Sequence, residues 1–359
     1  LAIAYSNGTI NLVDIESKET IMSLDVKSDI KHICWTQNFV EIDDAERLIL
    51  QEHTRYLAEL PNLNTITSGG KKMDYKGTKF YSTSMLNFLI VTCDDGKIII
   101  YIYGVLKCGT IDIRHHVGAS AEDSLEILEV KLSSNFEHLY VFYIKNGHIE
   151  FLIFENDTLL KHRTSLWKLS VKYGMIMNTL NYIEDTIEHI NEAWESVLLE
   201  MDNKLTKFAK NQKPGAVSAD FLELLMFGYP SSSLESFLTQ EMTIRELKKL
   251  SNSVEMSYST IQKLVVKPLY SAIVHLFYHI NNVYGMHQNS YYYKELLGEC
   301  SNEPMIKTGS FLIKSHELQQ TIDKSMRDYK IFFRWLYIAI SRIIEDTVPD
   351  DAGTITQQE

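Results

Sequence analysis

The chain of 359 residues has only four cysteines, and none stands in a CxxC pair. Cys34, Cys93 and Cys108 lie in or beside apolar, strand-like stretches, and Cys300 stands apart. That pattern reads as buried free thiols in a reducing compartment, not a disulfide or zinc framework. Clustered basic charge is also scarce. Lys71-Lys72 and Lys248-Lys249 are the only Lys/Arg doublets, and the net charge is −12. A general nucleic-acid binder is thereby excluded, because affinity for phosphate needs gathered cations. No apolar run suits a bilayer. The most apolar one, 331–344, is interrupted by Arg334 and Arg342 and falls short of the ~20 residues a membrane span requires. The stretch 261–284 carries Lys263, Lys267, Pro268, His275 and His279. No signal-peptide pattern opens the chain. Its first residue is not Met and lies in mid-strand, which implies a preceding segment.

Reactive constellations are equally sparse. There is no GxSxG elbow. His115-His116 lacks a further ligand at metal spacing, and His275 and His279, four apart on a helix, lack the Glu of an HExxH pair. Ser68-Gly69-Gly70-Lys71-Lys72 lacks the spacer and the Ser/Thr of a phosphate loop. Asp94-Asp95-Gly96 is accounted for as a turn. The expectation is no catalytic, cofactor-binding or metal-binding residue, no cofactor and no small-molecule substrate.

What the sequence does contain is a repeated β pattern followed by long helical periodicity. In the stretches 1–14, 89–101 and 139–152, an apolar run leads through a tight turn ending in Gly8, Gly96 or Gly147 to a second apolar run. Asn-Gly and Asp-Gly supply the positive φ of type I′ turns, so each stretch predicts a β-hairpin. With blades of ~40–45 residues, the first glycine spacing fits two propeller blades and the second fits one plus a short insertion. The segments 29–35 and 125–133 alternate as inner strands, and 62–75 reads as a long loop. Continuous apolar runs such as 98–103 predict sheets buried on both faces.

From about residue 166 the period changes. Ile176, Leu180, Ile183, Ile187, Ile190, Trp194, Val197, Met201, Leu205 and Phe208 hold a heptad seam, which predicts one long helix in a left-handed bundle. Lys213-Pro214-Gly215 ends it, and Ser218 and Ser231 read as N-caps of short helices. A second rod starts at the capping box Thr243-Ile244-Arg245-Glu246, kinks at Pro268 and stops at Gly285. A third runs from about 304 to 346 through Phe311, Leu318, Ile322, Tyr329, Phe332, Leu336, Ala339 and Ile343, with Pro349 beyond it. The predicted organisation is an incomplete β-propeller over 1–165, an elongated antiparallel, four-helix-like bundle over 166–348, and a polar tail over 349–359. Trp194 and Trp335 fall on seams and read as core. Tyr291, Tyr292 and Tyr293 cannot all be buried on one helix face, so this triplet is the candidate partner contact.

The segments 193–208, 247–265, 309–314 and 332–339, with the hairpin at 87–104 that ends in Tyr103-Gly104, carry long specific words. Through them the chain resembles the subunit four family of the anaphase-promoting complex (cyclosome), a ubiquitin ligase assembly. The resemblance implies a WD40-type propeller with the helical bundle inserted into it and further blades after the bundle. The Gly-His and Trp-Asp signatures are missing here, with Val13-Asp14 only approximating the latter. The implied role is a non-enzymatic scaffold subunit of an E3 ligase. It would join platform subunits and help position the catalytic module for ubiquitination of cell-cycle regulators in mitosis. Its partners would be other subunits of that complex, with no nucleic acid and no membrane, in the nucleus and the cytoplasm. The competing expectation is a propeller-plus-helix component of a membrane-traffic coat, whose helices would instead form a solenoid of short pairs.

Overall fold

The computed structural model describes residues 1–39 except 17 and 19, 56–63, 85–119, and 124–344 except 211 and 214. Segment 68–72, nearly all of the expected 62–75 loop, Pro214 and the 349–359 tail lie outside the described residues. Contacts divide the chain into two compact units. The first comprises Leu1–Glu59, Tyr75–Leu180 and His275–Met305; the second comprises Leu60–Asp74, Asn181–Val274 and Ile306–Glu359.

Among the described residues of the first unit, ten antiparallel strands form three sheets. Strands β1 (Ala2–Ala4), β2 (Thr9–Val13) and β3 (Thr20–Asp25) make one sheet. The second contains β4 (Ile30–Phe39), β5 (Met85–Cys93), β6 (Lys97–Ile102) and β7 (Leu106–Asp112). The third contains β8 (Leu125–Leu132), β9 (His138–Lys145) and β10 (His148–Glu155).

All three expected hairpins are present, but their turns differ. Only Asn146 and Gly147 both have positive φ, at 50° and 85°, the type I′ geometry. At the other two, only the glycine is left-handed, and its N–H donates three residues back: Gly8 to Tyr5 at 3.2 Å and Gly96 to Cys93 at 3.1 Å. That is a type I turn closed by a glycine bulge, which adds one residue to the loop. The spacing inference also needs correction. β4 pairs directly with β5, Ile33 opposite Val91 and Trp35 opposite Leu89. Residues 40–84 therefore connect adjacent strands of one sheet, and the interval between Gly8 and Gly96 does not correspond to two blades.

The middle sheet is buried on both faces, which explains its uninterrupted apolar runs. Phe88, Ile90, Ile98, Ile100 and Ile102 pack with Leu125, Val130, Leu139 and Val141 of the third sheet. Phe88 meets Phe136 edge to face at 4.9 Å. On the opposite parity, Leu89, Val91, Ile99 and Tyr101 pack with Ile10, Leu12 and Leu24 of the first sheet. Three sheets thus stack one after another, and among the described residues they do not close a ring. Two short helices, α1 (Ile113–Val117) and α2 (Asp157–Lys161), flank the third sheet in the chain. The first turns of α3 (Arg163–Ala209) add Leu166, Trp167, Val171 and Met175 to the same core.

Among the described residues the remaining α-helices are α4 (Ala216–Phe227), α5 (Ser232–Ser236), α6 (Ile244–Leu264), α7 (Tyr270–Asn289), α8 (Tyr291–Leu297) and α9 (Glu303–Ile343). Ser231 caps α5 by accepting the Leu234 N–H at 3.3 Å. Ser218 is no cap, since it lies inside α4 behind Gly215 at φ 84°. Pro268 does not break its helix. The turn Val265–Leu269 widens to π-helical hydrogen bonding, which absorbs the missing donor and the bulk of the ring. Gly285 likewise does not stop α7, which continues to Asn289.

In the second unit α6 runs antiparallel to both α3 and α9. Trp194 meets Tyr258 edge to face at 5.8 Å, while Lys204 reaches Glu246 at 2.9 Å. On the other side, Gln262 donates to Asp323 at 2.7 Å, Tyr258 pairs with Ser325 at 2.9 Å, and Lys330 pairs with Glu255 at 2.7 Å. Exposed ion pairs contribute little individually; the buried stripe Leu247, Leu250, Val254, Tyr258, Ile261 and Leu264 carries the packing.

The expected seams are shifted. On α3, Trp194 is 38% exposed and Ile187 is equally open, while Tyr182 and Thr186 face inward; Ile183, Val197 and Phe208 are buried as expected. On α9, Phe333 is buried in place of Phe332, and Thr308 and Ser315 take seam positions. Buried hydroxyls on these helices satisfy themselves by donating to the preceding turn, Thr186 to Tyr182 at 2.6 Å and Ser315 to Leu312 at 2.8 Å. They can therefore occupy a packed face without a cross-helix partner.

Candidate interaction site

The tyrosine triplet forms the start of α8, in the first unit. Tyr291 is 75% exposed and Tyr293 is half-buried; the Tyr292 side chain is outside the description. α8 is fastened by Glu295, which lies 3.3 Å from Lys161 Nζ and 3.4 Å from His162 Nε2. Leu296 packs against the core shared by the second and third sheets. At the far end, His287 Nε2 and the Gly298 carbonyl lie 2.8 Å apart. The short helix therefore presents Tyr291 from an anchored base.

The tryptophans separate by environment. Trp167, at 2% exposure, is the buried one, Trp335 is half-buried, and Trp35 on β4 is partly open. His115 and His116 are both exposed on α1. His279 is buried, with its ring 6.4 Å from that of His275. Among the described residues no group of three or more His, Cys, Asp or Glu is arranged to hold a metal ion, and no helix is long and apolar enough to cross a membrane. All four cysteines are free thiols. Their expected burial holds only for Cys93, whose thiol burial pushes up to about 11, helped by the Asp95 carboxylate; Cys108 is exposed. A cavity of about 10 Å³ beside Val254, Tyr258, Tyr329 and Phe333 has room for one water at most.

Three surfaces escaped the sequence reading. Ile149, Phe151 and Ile153 lie on the face of β10 opposite Leu152 and Phe154, which pack inward, and Phe142 joins them, its ring 6.3 Å from Phe151. Ile3, Tyr5 and Ile21 form the corresponding outer face of the first sheet. The sequence signal was that both parities of β10 are apolar; a sheet covered on one side alone would alternate with polar residues. The third surface is α4. Its Leu224 is buried, yet Leu222, Leu225, Met226 and Phe227 are exposed, as is the following Tyr229. Contiguous apolar patches of this kind mark sites of association.

Stacked antiparallel sheets, an antiparallel bundle of long helices and exposed apolar faces define a mixed sheet-and-helix protein. Comparison with known proteins agrees. Residues 1–38 match the anaphase-promoting complex subunit 4 WD40 domain, and residues 150–346 match the family described as anaphase-promoting complex, cyclosome, subunit 4. Over 366 residues the chain is 31% identical to the anaphase-promoting complex subunit 4 of Homo sapiens, and over 369 residues 30% identical to that of Mus musculus. Each alignment covers 98% of this chain and 44% of the relative. The subunit of Dictyostelium discoideum is 23% identical over 265 residues. The chain belongs to the anaphase-promoting complex subunit 4 family, and it spans less than half the length of the curated relatives it matches.

Proposed function

We propose that this chain acts as a non-catalytic scaffold within an anaphase-promoting-complex ubiquitin ligase. It joins platform subunits and helps position the catalytic module for ubiquitination of cell-cycle regulators in mitosis. The observation that carries this reading is the family match over 98% of the chain. The exposed apolar faces support it, because a scaffold works through such surfaces. Its partners are other subunits of the complex; nucleic acid, membrane and small-molecule substrates play no part, and it works in the nucleus and the cytoplasm. The three stacked sheets are read as an arc of a WD40-type propeller over 1–165. The bundle over 166–348 is inserted into it, 349–359 forms a polar tail, and further blades cover the outer faces of the first and third sheets.

The coat-component alternative is weaker, because helices of 47 and 41 residues are unlike the short repeated pairs of a solenoid. Affinity purification of the tagged full-length protein from dividing cells tests the choice. Recovery of cullin-like and RING subunits is expected. Recovery of coat subunits in their place overturns the assignment.

A further inference from the structure

We propose that α4 is a helical ligand that inserts into an apolar groove with a basic rim on another protein chain. Leu222, Leu225 and Met226 stand at i, i+3 and i+4 on its outer side, the spacing by which an amphipathic helix fills a groove. Phe227, the last residue of α4, and Tyr229, just past the C-cap Gly228 at φ 77°, add exposed apolar surface at that end. These five side chains are 57–79% exposed, and together they reach the few hundred Å² (order of magnitude) that marks an association site. Leu224 is buried on the opposite side, so the helix is pinned from behind while its outer side stands free.

Charge selects the occupant. Between Lys213 and Arg245 the chain has Asp220, Glu223, Glu235 and Glu241 and no Lys or Arg. Glu223 is exposed on the flank of the apolar side. An anionic lipid surface would repel this segment, since interfacial helices carry cations on the polar face. A second copy would bring its own carboxylates to the same rim, and like charges in juxtaposition are costly. A groove edged with Lys or Arg satisfies both the apolar stripe and the acidic flank.

The inference rests on the reading of this chain as a subunit of a larger assembly, and the experiment separates the two. A photo-crosslinking residue is placed at position 226 of the full-length protein in cells, with position 222 as a second placement. Position 256 serves as control, because Met256 on α6 is 70% exposed. Expected is an adduct with a different chain, at least tenfold above the control. It should map to an apolar groove bordered by basic residues and fall several-fold in a Glu223→Lys background. Adducts only with a second copy or with lipid, or yields at 222 and 226 no higher than at 256, overturn the proposal even if the complex is recovered intact. Failure of the unsubstituted chain to bring down cullin-like and RING subunits sinks the scaffold assignment, whereas the docking proposal stands or falls on the adduct.

Discussion

Lys204 on α3 and Glu246 on α6 lie 2.9 Å apart, and this pairing redirects what the local sequence would have done with the glutamate. Thr243 caps α6 by accepting the Glu246 N–H at 3.5 Å. A full capping box would fold the Glu246 side chain back onto the Thr243 N–H. Here the carboxylate instead receives Lys204 from the neighbouring helix and Lys249 from its own, both at 2.9 Å. Half of the local motif has become a link between helices.

That link makes a pH-dependent prediction. Hydrogen bonds from Lys204 and Lys249, with their charges, hold the Glu246 carboxyl at about 2, below its ordinary 4.5. A carboxyl lowered on folding stabilises the folded state above its unfolded value and loses that contribution as pH falls through the folded one. Glu246→Gln should therefore melt below the parent protein at pH 7, and the gap should close between about pH 4.5 and 2. Thermal melts across that range check it; a gap that stays constant with pH contradicts the assignment.

The two tryptophans of α3 should respond unequally, although only Trp194 stands on the expected seam. Trp167 sits in the sheet core at 2% exposure, so Trp167→Ala should cost about 3–5 kcal/mol. Trp194, which meets Tyr258 edge to face and is 38% exposed, should cost about 1–2 kcal/mol. Chemical denaturation of the two variants compares them directly, and equal losses would contradict the packing described.

The same contrast shows what the sequence made legible. Hairpins and long helices were readable because a turn glycine, a capping threonine and a period of 3.5 are local facts. Which side of a long helix faces inward was not, because the seam was traced through the bulkiest residues. Ile187 was preferred to Thr186, yet a threonine that bonds its own helix packs as closely as an aliphatic residue. The π turn that accommodates Pro268 was not legible, because a register shift of this kind has no sequence signature of its own. The apolar side of α4 was missed for a related reason. Periodicity reports that a stripe exists and leaves open whether the stripe is covered.

Gly8 and Gly147 close equivalent hairpins but should differ under substitution. Both are left-handed, at φ 82° and 85°, a region that costs an L-residue ~1–2 kcal/mol. A Cβ at Gly147 meets nothing within 4 Å, whereas one at Gly8 would lie 2.8 Å from the Ser28 carbonyl oxygen. That carbonyl is part of the backbone, which cannot swing aside as a side chain can. Gly147→Ala should stay within ~2 kcal/mol of the parent, and Gly8→Ala should exceed ~3 kcal/mol. Equal destabilisation would contradict the close approach.

The outer face of the third sheet offers a test of blade stacking. Ile149, Phe151 and Ile153 are exposed in this chain, while their neighbours Leu152 and Phe154 pack inward. Replacing the three with Thr, Tyr and Thr keeps strand propensity and reduces apolar surface. In the 359-residue chain, which leaves the face open, the triple variant should be at least as soluble and lose less than ~1 kcal/mol. In a version extended so that the proposed further blade covers this face, the same change should cost several kcal/mol, because it places hydroxyls in a sheet–sheet interface. Paired denaturation curves of the short and long chains supply the comparison. Equal, small losses in both would mean that no blade stacks on this face.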